Sequence, residues 1–112
     1  MKKDINILHH MLEDIEDIIN FTKGIDFDSF VSNSMVRKAV CMSLINIGEL
    51  TKALSPGFKA ENNSIPWKNI AGLRDITAHK YHTLNLDILW SVVKADIPVL
   101  EEFIKKILSS KK

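Results

Sequence analysis

Ile5, Leu8, Leu12, Ile15, Ile19 and Thr22 follow one another in alternating steps of three and four. That spacing lays side chains along one stripe of an α-helix and scatters them over both faces of a strand. A helix with such a stripe is stable only when other elements cover it, so the chain must fold as packed helices. Only four glycines and three prolines interrupt the 112 residues, which predicts few and long elements. Asp4 suits the N-cap of the first helix, and Gly24 stands where its C-terminus favours positive φ. Residues 25–31 read as a connection, with Phe27 and Phe30 packing back on the core. Asn33 or Ser34 caps a second helix that runs to about Leu54, with Val36, Val40, Leu44 and Ile47 among its apolar positions.

Ser55-Pro56-Gly57 closes that helix, and residues 55–65 read as a surface loop. Pro66 opens a third helix, expected to reach about Tyr81, because its missing N–H is unpaired in a first turn anyway. Thr83 or Asn85 restarts a helix at Leu86. Pro98 must kink or divide that helix, since it removes one i→i−4 bond. Asp96 caps the last piece, whose stripe is Leu100, Phe103, Ile104, Ile107 and Leu108. The expected fold is all-α, a four- to five-helix up-and-down bundle in one domain over residues 1–112.

Composition narrows the class. No apolar run approaches the ~18 to 20 residues that span a bilayer. The N-terminus shows no signal-peptide core, so a cytoplasmic location is expected. Cys41 is a lone cysteine in an apolar segment, which fits a reducing compartment and a small core residue. The net charge of +1 argues against a sequence-blind polyelectrolyte binder, and DNA is not an expected partner. The charge is uneven, however. Residues 1–30 carry Lys2, Lys3 and Lys23 against seven carboxylates, a net −4; residues 35–82 carry seven Lys and Arg against three carboxylates, a net +4.

The basic segment holds the residues with chemistry. On a regular helix over 67–82, Ile70, Leu73, Ile76, Thr77 and Tyr81 share a broad arc, and Arg74 falls inside it between Tyr81 and Trp67. A guanidinium in an apolar arc needs a partner. Asp75 and His79 are four apart, so the carboxylate can hold one imidazole nitrogen and fix the tautomer. Arg74 and His79 lie roughly 140° apart on a regular helix, so a shared site needs a tightened helix, a long reach or a second chain. An Arg that neutralises a phosphate and a His that moves a proton suit acyl or phosphoryl transfer. The alternative is structural: an Arg that caps a helix by pairing with Glu49 or Asp75, beside a surface His. A buried Glu49 would need a cation, from Arg74 or Arg37. His9-His10 lack a second ligand pair, so neither a metal site nor a cofactor is expected.

Arg74-Asp75-Ile76-Thr77-Ala78-His79-Lys80-Tyr81 resembles the Arg-x4-His-x-Tyr motif of the HEPN superfamily, in its HepT-like toxin branch. Pro66-Trp67 and Gly72-Leu73 are similar to the lead-in of that motif. Ile47-Gly48-Glu49 is similar to its Ile-Gly-Glu, and Leu89-Trp90 with Asp96-Ile97-Pro98-Val99-Leu100 is similar to its tail. The resemblance implies a homodimer with motif helices facing each other across the two-fold axis. It implies a metal-independent endoribonuclease of a type VII-like toxin–antitoxin pair, with Arg74 and His79 catalytic, Asp75 and Glu49 supporting, and tRNA as the expected RNA substrate. The residue after the motif Arg is commonly Asn in the family and is Asp75 here. The resemblance further implies an MntA-type nucleotidyltransferase antitoxin that adds AMP to Tyr81. The competing expectation is a catalytically inactive module that binds a nucleotide or a partner.

Overall fold

The structure, a computed structural model, describes residues 2–73 and 85–110, and every regular element among them is helical. Two long helices form its frame, α1 (Lys2–Thr22) and α3 (Ser34–Ala53). They run antiparallel: Asp4 in the first turn of α1 meets Ser55 just past the end of α3. Leu8, Met11, Ile15 and Ile18 of α1 and Val40, Leu44 and Ile47 of α3 have no exposed surface. Each such side chain contributes about 1.5–3 kcal/mol by leaving water.

The buried stripe of α1 is offset from the expected one. Leu8, Ile15 and Thr22 are central, as their spacing predicts, but their companions are Asp4, Ile7, Met11 and Ile18. Ile5, Leu12 and Ile19 line the edge. Asp4 is therefore not an N-cap. It is 2% exposed, and its carboxylate accepts from the Ser55 backbone N–H at 2.8 Å and from Ser55 Oγ at 2.7 Å. At the other end of α1, Gly24 adopts φ +76, the turn that its position predicts.

The connections are more helical than expected. Residues Phe27–Ser32 form α2, capped by the Asp26 carboxylate, which accepts from Ser29 N–H at 2.8 Å. The Arg37 guanidinium donates to the Val31 and Phe30 carbonyls at the C-terminal end of α2. Asn33 caps α3 through Val36 N–H. Within residues 55–65, expected as a loop, Pro56–Glu61 form α4. Ser55 and Pro56 stop one helix and start the next, since a Ser N-cap with Pro behind it is a start signal too. Phe58 of α4 packs on Trp67 with ring centroids 5.8 Å apart, and Trp67 Nε1–H donates to the Asn62 carbonyl at 3.1 Å.

Trp67 opens α5 (Trp67–Ala71), which packs on α3. Of the helix expected to reach Tyr81, the part past Leu73 lies outside the described residues. Asn85 caps α6 (Leu86–Ser91), as anticipated, by accepting from Asp87 and Ile88 N–H. A wide π-turn, Val92–Asp96, then leads into α7 (Ile97–Ser110). Ile97 N–H donates to the Val92 carbonyl five residues back. The expected break at Pro98 is thus a π-turn that ends two residues before it, where a widened ladder absorbs the lost N–H without ending the helix. Trp90 packs at a tilt against Phe30, ring centroids 4.8 Å apart, and against Phe27 at 6.2 Å, which joins α2 to α6. Ile97, Leu100 and Ile104 carry α7 onto the common core against α1. None of the described helices is long and apolar enough to cross a membrane.

The Asp4–Ser55 contact yields a pH signature. Hydrogen bonds from the Ser55 side chain and backbone hold the Asp4 carboxyl below its ordinary value of 3.8. A folded-state value below the unfolded one stabilises fully above 3.8, and the gain is lost as pH falls through the lowered value. Asp4→Ala is expected to cost about 1–3 kcal/mol at pH 7. In urea titrations, the gap between wild type and Asp4→Asn should be constant near neutrality and shrink below pH 3.8.

Candidate functional site

Arg74, Asp75, His79 and Tyr81 lie outside the described residues; the structure defines the segments that flank them. On the N-terminal side α5 ends at Ala71, Gly72 N–H still donates to the Lys68 carbonyl at 3.0 Å, and Leu73 resumes helical backbone. On the C-terminal side Asn85 caps α6. Beside Leu73 a groove of about 390 Å³ opens between α5 and the π-turn with α7. Its walls are Ile65, Pro66, Ile70, Leu73, Val92, Ile97, Val99, Leu100 and Phe103. Asn69 and Asp96 are the polar side chains among its described lining residues. Val99 is 50% exposed at its edge.

Glu49 is exposed, not buried. It lines a second groove of about 350 Å³ with His10, Glu13, Asp14, Asp17, Asn46 and Leu50. Arg37, one of its two suggested cations, is spent on the carbonyls of α2. Twelve residues along one helix also separate Arg37 from Glu49 by roughly 18 Å, beyond the reach of both side chains. The pairing of Glu49 with Arg74 falls outside the described residues. His10 Nδ1 lies 3.8 Å from Glu13 Oε1 at the rim. Among the described residues, no three His, Cys, Asp or Glu are grouped to hold a metal ion.

The second groove was legible in part. His10, Glu13, Asp14 and Asp17 recur at i, i+3, i+4 and i+7, one face of α1, yet the spacing gives no sign that α3 sets Asn46 and Glu49 across from them. Cys41 is a core residue, as expected; it is 4% exposed and burial pushes its thiol up, away from the reactive thiolate. The apolar groove had no signature in the sequence, because its walls come from segments about thirty residues apart.

Asp14 provides a check on the acidic groove. Burial raises its carboxyl above 3.8, Asp17 and Glu13 add to the rise, and the Asn46 hydrogen bond opposes it. An acid raised in the folded state destabilises above that raised value, and the penalty vanishes below the unfolded one. Asp14→Asn should therefore raise the thermal midpoint at pH 7. The gain should disappear as pH is lowered past 3.8, measured by calorimetry across pH.

Relatives align with the chain along most of its length. It is 38% identical over 112 residues, all of both chains, to a Caldanaerobacter subterraneus protein named "Putative RNase TTE0752". It is 36% identical over 100 residues to "Probable ribonuclease HepT" of Thermococcus cleftensis, covering 89% of this chain and 91% of that one. No solved structure matches it at a significant level. The profile described as "Ribonuclease HepT-like" matches residues 11–107, from the first helix through the last. The chain belongs to the HepT-like ribonuclease family of the HEPN superfamily.

Proposed function

We propose that the chain is a metal-independent endoribonuclease toxin that cleaves RNA, with tRNA its cellular target. The observation that carries this reading is the Arg74-x4-His79-x-Tyr81 motif, set between α5 and the Asn85-capped α6 in a member of a ribonuclease family. The reaction needs no external nucleophile. His79 takes the proton from a ribose 2′-hydroxyl, and the freed oxygen attacks the adjacent phosphorus. The Arg74 guanidinium neutralises the charge that gathers on the pentacoordinate phosphate. In the same step a protonated imidazole gives a proton to the departing 5′-oxygen, which leaves a 2′,3′-cyclic phosphate and a 5′-hydroxyl end. Asp75 positions His79 by holding its other ring nitrogen, and Glu49 is a supporting residue.

Base and acid act at once, so two imidazoles serve better than one. A homodimer with motif helices at the two-fold axis supplies both, and removes the roughly 140° that separates Arg74 from His79 on one regular helix. It also doubles the local +4 of residues 35–82 at a single cleft, which favours a polyanion. Regulation follows from the same stripe. Arg74 and Tyr81 are seven residues apart, so AMP transferred from ATP to the Tyr81 hydroxyl, with pyrophosphate leaving, puts an anion and a base in the cleft and bars RNA. The cognate antitoxin is then a nucleotidyltransferase of the MntA type.

Purified wild type in EDTA should cleave tRNA and leave cyclic phosphate ends. His79→Ala and Arg74→Ala should each lower the rate at least about 10²-fold with an unchanged thermal midpoint. Equal rates for wild type and both variants would refute the catalytic assignment. After co-expression with an MntA-type nucleotidyltransferase, intact-mass and peptide spectra should show AMP on Tyr81 and none on Tyr81→Phe, and a modification found only elsewhere refutes the regulatory part.

A further inference from the structure

The groove beside Leu73 has walls suited to a flat guest and a polar edge suited to a particular one. Ile70, Leu100 and Phe103 offer apolar surface, and Asn69 and Asp96 are the polar residues among its described lining. Both polar residues are exposed, and neither side chain makes a hydrogen bond or ion pair among the described residues. Asp96 closes the π-turn, so the one irregular turn in the α6–α7 rod ends at the groove. An apolar helix or lipid chain laid over Asp96 would strip water from a carboxylate and return nothing. The guest therefore carries hydrogen-bond donors at its edge.

We propose that this groove is a base-binding subsite selective for guanine in the RNA substrate, an inference that rests on the ribonuclease reading above. A carboxylate only accepts hydrogen bonds, and it does so best from two parallel N–H groups. Guanine, through N1–H and its 2-amino group, presents two such donors side by side, whereas adenine, cytosine and uracil alternate donors with acceptors. The Asn69 amide donates to the guanine carbonyl side. Phe103 and the aliphatic walls receive the ring face, as single-stranded bases splayed out of a stack are held by other proteins. Leu73 lies in the groove lining and Arg74 is the next residue, so a base held here sets its own phosphate beside the motif.

Methyl NMR of His79→Ala protein, titrated with 5′-GMP, 5′-IMP, 5′-AMP and 5′-UMP, tests this without cleavage. GMP should shift the Ile70, Leu73 and Leu100 methyls and bind at least about tenfold tighter than IMP, which lacks the 2-amino group. Asp96→Asn keeps the shape of the side chain and should bring GMP down to the level of IMP. Equal binding of all four nucleotides, shifts that avoid these methyls, or unchanged GMP binding in Asp96→Asn would overturn the proposal. So would methyl shifts that follow protein concentration instead of GMP, since a second copy would then fill the groove. Cut sites mapped in a random RNA pool separate the two readings. Cuts at a fixed offset from G in wild type, with that preference lost in Asp96→Asn, support the subsite. Cuts indifferent to G overturn the subsite and leave the nuclease standing. Selective GMP binding by a wild type that cuts nothing supports the subsite and overturns the nuclease.

Discussion

α1 and α3 pack antiparallel, and α2, α5 and α7 are placed against that pair. Their contact buries Leu8, Met11, Ile15 and Ile18 against Val40, Leu44 and Ile47. Each of these buried side chains contributes about 1.5–3 kcal/mol by leaving water. α5 then rests on α3, and α7 rests on α1. The register is fixed at one end by the Asp4 carboxylate on Ser55, which spans 51 residues of sequence. A buried carboxylate with any other neighbour would cost several kcal/mol, so a slipped register is penalised twice, in polar and apolar terms. No buried polar side-chain atom among the described residues lacks a partner.

The second half of the described chain departs from long regular helix in two places. α5 is five residues long and stops at Ala71, just before the motif. The wide turn Val92–Asp96 interrupts the last rod and opens the apolar groove on its side. Trp90, just upstream, is held from α2 by Phe30 and Phe27, and Lys94 lies 4.8 Å from its ring centroid. That aromatic cluster anchors the start of the rod, so the irregular turn is supported from both ends.

Charge is partitioned by the same architecture. The acidic face of α1 joins Glu49 of α3 around one groove, where burial and like charges lift Asp14. The groove next to the motif is lined by apolar residues with only Asn69 and Asp96 as polar ones among those described. A near-neutral total hides this separation.

The helical class, the caps at Asn33 and Asn85 and the turn at Gly24 were legible because each is a local matter of spacing, side-chain reach or φ. So was the motif, since its members sit within eight residues. The stripe of α1 shows where local reading stops. Leu8, Ile15 and Thr22 belong equally to a column with Ile5, Leu12 and Ile19 or to one with Asp4, Met11 and Ile18, and hydrophobicity alone favours the first. The fold takes the second because Ser55, 51 residues away, completes the Asp4 hydrogen bonds. Ser55-Pro56 reads as a stop, and it is also the capped start of α4, whose Phe58 packs on Trp67. The exposure of Glu49, the engagement of Arg37 by α2 and the groove at Asn69 and Asp96 all depend on which helices become neighbours. The sequence by itself determined the helical class, the caps at Asn33 and Asn85 and the order of the chemical groups along the chain. Tertiary structure alone decided which face each helix buries and which polar groups meet, because those choices are made by partners distant in sequence.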